Sequence, residues 1–79
     1  MNTFKVYVER PLESMFSNGE KVELLAEFDD GTEAQDYILS RFRYDQKFYN
    51  GAIEFAETAE IADKLQEIWN ATNYFFVEE

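Results

Sequence analysis

Residues 45–57 read Asp45-Gln46-Lys47-Phe48-Tyr49-Asn50-Gly51-Ala52-Ile53-Glu54-Phe55-Ala56-Glu57, and their reading decides the fold. Upstream of this stretch, Ala34, Ile38 and Phe42 recur at four-residue spacing, with Tyr37, Leu39 and Phe48 widening the stripe. That period predicts a helix with one apolar side. Asn50-Gly51 reads as its stop, because glycine and asparagine adopt the left-handed backbone that closes a helix. Ile53 and Phe55 then alternate with Glu54 and Ala56, the pattern of a short strand. A strand is thereby placed between two helices.

Working back from the helix, Asp29-Asp30-Gly31 is a turn and Thr32-Glu33-Ala34-Gln35 has capping-box form, with Thr32 as N-cap. Phe4, Val6 and Val8 alternate with Lys5, Tyr7 and Glu9 as a first strand, which Pro11 ends. Val22, Leu24, Ala26 and Phe28 alternate with Lys21, Glu23, Leu25 and Glu27 as a second. A tight hairpin at Asn18-Gly19 would set Glu13 opposite Leu24 and Glu9 opposite Phe28, with charge on the apolar face. Residues 11–19 are therefore read as a loop or one helical turn with Pro11 at its first position. Met15 and Phe16 there either lid the core or stand exposed for contact.

Working forward, Thr58 caps a second helix whose stripe is Ile61, Ala62, Leu65, Ile68 and Trp69, and Tyr74 to Val77 form the last strand. The expected fold is a single α+β domain over residues 1–79. It is a two-layer sandwich, a four-stranded mixed sheet with two helices on one face, in the order β-β-α-β-α-β. Its core would hold Phe4, Val6, Val8, Val22, Leu24, Ala26, Phe28, Ile38, Phe42, Ile53, Phe55, Ile61, Leu65, Ile68 and Trp69. Its uncovered sheet face would carry Lys5, Tyr7, Glu9, Glu23, Leu25, Glu27, Glu54 and Ala56, joined by Tyr74 or Phe75.

Charge sets the expected partners. The 79 residues hold seventeen Asp and Glu against seven Lys and Arg, a formal net charge of -10. Eight Phe, five Tyr and one Trp supply enough apolar surface to fold despite the repulsion. An acidic surface favours basic partners and disfavours nucleic acid and anionic membranes. The bases are unevenly placed: residues 41–50 hold Arg41, Arg43 and Lys47 against Asp45, a local sum of +2. Their position in the C-terminal half of a helix suits its dipole.

Chemistry-bearing motifs are few. Cysteine and histidine are absent from the sequence, which excludes disulfides, thiolate catalysis and histidine-based acid–base or metal chemistry. Three glycines, all at turn signals, make no phosphate-binding loop. The acids around Gly31 do not fit a calcium loop, since Ala26 and Tyr37 would fall on ligand positions. No cofactor and no metal are expected, and the chain is read as a non-enzymatic binding protein. With no signal-peptide pattern and no membrane-length apolar run, a cytoplasmic location is expected.

Glu57, Glu60, Asp63 and Glu67 recur at three- and four-residue spacing on the second helix, about 4.5–6 Å per step, a carboxylate track able to imitate phosphates. Glu9, Glu23, Glu27 and Glu54 would add acids on the sheet, and Tyr7, Leu25, Phe16 and Tyr49 would supply apolar anchors for a partner. In size and charge the chain resembles small acidic inhibitors: phage anti-CRISPR and antirestriction proteins, and immunity proteins of nuclease toxins. That likeness implies a stoichiometric inhibitor of a basic nucleic-acid-binding enzyme or ribonucleoprotein, with no direct binding to nucleic acid or membrane. The other expectation is a structural or regulatory subunit that pairs with itself or a partner through the open sheet face.

Overall fold

A computed structural model describes residues 3–14 and 19–79. Five elements follow one another: β1 (Phe4–Glu9), β2 (Val22–Phe28), α1 (Gly31–Glu54), α2 (Ala59–Asn70) and β3 (Asn73–Glu78). The fold is α+β, with two helices and a three-stranded antiparallel sheet in the order β2-β1-β3. The expected four-stranded mixed sheet is corrected to three strands, and the expected order β-β-α-β-α-β becomes β-β-α-α-β.

The correction lies at Asn50-Gly51. The helix does not stop there; α1 runs for 24 residues to Glu54 and closes at Phe55, whose backbone N–H donates to the Gly51 carbonyl at 3.1 Å. The residues expected as a third strand, 53–56, are its last turn and exit. The inward-facing positions keep helical period across the glycine: Ala34, Ile38, Asp45, Tyr49, Ala52 and Ile53 are buried or half-buried. Packing along that side outweighs the cost of about 1 kcal/mol for a glycine inside a helix. Both helices are capped by side chains: Asp30 Oδ1 accepts from the Thr32 N–H at 2.8 Å, and Thr58 Oγ1 accepts from the Ile61 N–H at 3.2 Å. The cap of α1 is thus Asp30, two residues before the expected Thr32.

The central strand is β1, and Val6 and Val8 on its helix-facing side are fully buried. Across it, Phe4 meets Phe76 edge-to-face, with ring centroids 5.9 Å apart. In β2 the register breaks: Val6 pairs with Ala26 but Tyr7 pairs with Leu24, so Leu25 is the extra residue of a bulge. One inserted residue reverses the facing of everything before it. Ala26 and Phe28 face the helices as expected. Val22 and Leu24, expected in the core, are exposed on the far side with Tyr7 and Glu9, and Glu23 turns inward beside Val8. Phe42, Phe55 and Ile61 are also more exposed than a core role requires.

The α1 helix lies over the sheet, with Tyr37 against Phe28 (ring centroids 5.5 Å apart) and Phe42 against Tyr74 (6.2 Å apart). Its 24 residues span about 36 Å, against about 20 Å for a six-residue strand, so its second half extends past the sheet. There α2 packs back along it, with Trp69 stacked on Tyr49 at 5.1 Å and tilted on Phe42 at 5.2 Å. The molecule is accordingly long and thin, 50 × 21 × 15 Å. Between β1 and β2, the Ser14 N–H donates to the Pro11 carbonyl at 3.0 Å, closing a single turn that starts at the proline. The roles expected for Met15 and Phe16 lie outside the described residues.

Candidate functional site

Two groups of charged residues differ in every physical respect. The first is buried. Asp45 on α1 is fully inaccessible, accepts a hydrogen bond from the Tyr74 hydroxyl of β3, and lies 3.3 Å from the Arg41 guanidinium one helical turn earlier. Burial, then the hydrogen bond to Asp45, pushes the Tyr74 hydroxyl well above its ordinary pKa. Arg10, just past β1, is also buried and pairs with the inward-turned Glu23. Ser14 and Tyr49 share a hydrogen bond of 2.7 Å. These contacts tie α1 to β3 and the turn after β1 to α1. They are tertiary connections made by polar groups where a larger protein would use apolar ones.

The second group is exposed. Glu57, Glu60, Asp63 and Glu67 all face solvent at the start of and along α2, and none forms an ion pair within the described residues. Helical spacing sets Glu60, Asp63 and Glu67 on one outward stripe, opposite Leu65 and Ile68, over about 10 Å. Their thin neighbourhood of base is Lys64 alone on the same helix.

On the open sheet face, Tyr7 stacks on Phe75 with centroids 5.5 Å apart, and Val22, Leu24 and Val77 are exposed around the pair. Phe75, not Tyr74, is the member of β3 on this side. Glu9 and Glu27 rim it, and Lys5 bridges Glu79 at 2.8 Å and Glu27 at 3.9 Å. Hydrogen bonding and attraction from Glu79 raise the Lys5 pKa.

The residues expected at a partner surface therefore fall into separate places. Glu60, Asp63 and Glu67 come together on α2, with Glu57 in the segment just before its cap. Tyr7, Glu9 and Glu27 come together on the open sheet face, without Glu23, which is engaged by Arg10. Leu25 is the half-buried bulge residue. Glu54 and Ala56 belong to the end and exit of α1 and not to a sheet. Tyr49, expected as an exposed anchor, is 1% exposed and serves the interior. Phe16 lies outside the described residues. Missed by sequence were Val22, Leu24 and Val77 as exposed apolar residues, and Asp45 and Arg10 as interior ones. Arg10 carried one signal, since the alternation that buries Val6 and Val8 continues to it.

Among the described residues no group of three or more acidic side chains is placed to hold a metal ion, and no helix is long and apolar enough to cross a membrane. The larger grooves are open ones, such as that of about 450 Å³ between Arg10, Leu12, Lys21 and Ala71. No protein-family model, curated protein or solved structure matches the chain.

Proposed function

We propose that the protein is a non-enzymatic, stoichiometric inhibitor that occupies a basic nucleic-acid-binding surface on a larger protein or ribonucleoprotein. The observation that carries this reading is the outer side of α2: Glu60, Asp63 and Glu67 on the helix and Glu57 just before it are exposed, and none has an ion-pair partner among the described residues. Three of the seven bases are held elsewhere. Lys5, Arg10 and Arg41 are each committed to a carboxylate of the fold. Unpaired carboxylates in a row attract Lys and Arg side chains and speed association with a basic surface. The same sign repels a phosphate backbone.

The test is competition. Immobilised protein captures its target from host extract, and duplex or single-stranded nucleic acid is then applied at physiological salt. Release of a basic partner by nucleic acid, and its loss with rising salt, is the expected result. Glu60→Lys with Glu67→Lys should weaken capture more than Arg43→Glu does. Direct binding of nucleic acid by the protein itself would overturn the reading.

A second reading, a structural or regulatory subunit, is favoured by one specific feature: the Tyr7–Phe75 stack with exposed Leu24, Val22 and Val77 on the uncovered sheet face. Apolar groups ringed by Glu9, Glu27 and Lys5 have the layout of an interface core with a polar rim. A partner that resists both salt and nucleic acid, and is lost with Leu24→Ser, would select this reading.

A further inference from the structure

The two edges of the sheet are built differently. The strand order is β2-β1-β3, so the outer sides of β2 and β3 pair with no described strand. Such edges invite a further strand, and proteins blunt them with bulges, lysines, prolines and inward-turned charges. β2 carries these devices: the bulge at Leu25, Lys21 just before the strand, and Glu23 turned inward to Arg10. β3 carries none of them. Its pairing with β1 runs without a break from Asn73 to Glu78, and residues 73–78 hold no Pro, Gly, Lys or Arg.

The pairing also fixes which groups face outward. The Thr3 N–H donates to the Glu79 carbonyl at 2.9 Å, and the Glu79 N–H donates to the Thr3 carbonyl at 2.8 Å. Alternation along the antiparallel ladder then turns the N–H and C=O of Phe75 and Val77 towards β1, and those of Tyr74 and Phe76 towards the outer edge. The side chains of Tyr74 and Phe76 lie on the helix side of the sheet, beside Val8 and Val6. There Tyr74 joins Ile38, Leu39, Phe42, Thr72 and Asn73 in lining a groove of about 340 Å³ between α1 and β3. Leu39, Phe42 and Phe76 are 44%, 38% and 37% exposed. A hydrogen-bonding edge and an apolar groove thus run side by side.

From this geometry we infer that β3 takes up an extended segment of a partner protein as a fourth, antiparallel strand, whose alternate side chains enter the groove against α1.

A residue that exchanges hydrogen bonds with Tyr74 or Phe76 sets its side chain on the helix side, towards Leu39 and Phe42. The residue between those two stands on the other side, next to the Tyr7–Phe75 stack. In recognition by strand addition, backbone bonds give affinity and pockets select the alternate side chains. The groove lining bears no charged side chain, so the two residues that enter it are apolar.

Charge selects a basic partner over a second copy. Residues 65–79 hold Glu67, Glu78 and Glu79 and no base. Glu78 is exposed at the end of β3, and Glu79, though bridged by Lys5, is exposed as well. In an antiparallel addition the N-terminal end of the segment meets these two acids and carries Lys or Arg there. A second copy would instead bring a net charge of -10 against the same -10. The site is separate from the acids of α2 and does not depend on them.

A display library of random peptides about ten residues long, enough for one strand, is the probe. Selection on the immobilised protein should enrich peptides with apolar residues at alternate positions and Lys or Arg towards the N-terminal end. The strongest, made synthetically, is then titrated by fluorescence anisotropy. N-methylation of the two peptide amides that face β3 should weaken binding at least about tenfold, and N-methylation of those facing away should change it less than about twofold. Leu39→Lys, at an exposed position, should weaken binding at least about tenfold with circular dichroism unchanged. Leu24→Ser on the far face, and Glu60→Lys with Glu67→Lys on α2, should leave it within about threefold at physiological salt. Amide exchange at Tyr74 and Phe76 should slow at least about tenfold in the complex, while Phe75 and Val77 are protected already without peptide. Failure to enrich any peptide overturns the inference, as does a consensus without alternation. So does binding indifferent to N-methylation, or exchange at Tyr74 and Phe76 that binding leaves unchanged. Self-association of the chain that protects those two amides would make a second copy the occupant and overturn it too.

Discussion

The two halves of α1 show what a sheet does for a helix. Over the sheet, Ala34 is fully buried, Tyr37 meets Phe28, and Asp45 is sealed between Arg41 and Tyr74. Beyond the sheet, Tyr49 is sealed by Trp69 and Ser14 on one side, while Tyr44 and Phe55 stand in solvent on another. Apolar content does not explain the contrast, since the second half is the richer in rings. Geometry does. A helix of about 36 Å over strands of about 20 Å carries its end beyond the cover of the sheet. Tyr49 there is stacked on Trp69 of α2, while Tyr44 and Phe55 are open to solvent.

The sharpest way to break that contrast is at the sealed carboxylate. Asp45→Ala leaves the buried Tyr74 hydroxyl without an acceptor and Arg41 without its carboxylate. Removing one partner of a buried charged network costs about 3–5 kcal/mol, a large share of the stability of any domain this small. Urea unfolding measures it. Phe55→Ala, in the exposed half, should change dilute-solution stability by under about 0.5 kcal/mol. If the two substitutions cost the same, the halves do not differ as described.

Next in size is the joint between the helices. Ile68 is the buried residue of α2, and Ile68→Ala should cost about 2–5 kcal/mol. Leu65→Ala, at a half-buried position, should fall at or below the low end of that range. A larger cost at Leu65 than at Ile68 would mean the phase of α2 on α1 is misplaced.

The second helix, its cap at Thr58 and the last strand were legible because local chemistry and tertiary packing agree there. Thr58 caps, and Ile68 is buried where its spacing puts it. Where they disagree, the sequence misleads. Asn50-Gly51 carries a stop signal, but Tyr49 stacked on Trp69 and Ile53 packed inside hold the backbone helical through it. The alternation in β2 is regular from Val22 to Phe28, yet a bulge at Leu25 divides it into two opposite facings, and a bulge leaves no mark in apolar periodicity. The acid stripe on α2 was readable because helix period alone sets it. The interior charges were not, because a lone Asp or Arg in a helical or strand pattern looks solvated until its partners, Tyr74 and Glu23, arrive from other elements.

The tie between α1 and β3 can also be loosened with pH. The folded-state pKa of Tyr74 is raised above the ordinary value of 10.0, chiefly by burial and then by the bond to Asp45. A raised pKa means the fold binds this proton more tightly than the unfolded chain does. The contribution is therefore complete below about pH 10 and is lost as pH climbs towards the folded value. Stability should be flat in this respect near neutrality and fall in alkali, with a late-ionising tyrosine seen in ultraviolet titration as the protein unfolds. Tyr74→Phe should remove that late step. If the step persists, the late tyrosine is another residue and the link between α1 and β3 is not what alkali breaks.

The smallest expected effect is at Gly51. Its Cβ position meets nothing inside the monomer and its φ is not positive, so Gly51→Ala adds a methyl group to open space on a helix. Alanine loses less backbone freedom on folding than glycine, and the substitution should stabilise the monomer by about 0.5–1 kcal/mol. Urea unfolding of the variant beside the parent protein measures it. A loss of stability would instead show that Gly51 serves the fold of its own chain, and the end of α1 would then be more tightly constrained than its exposed Tyr44 and Phe55 indicate.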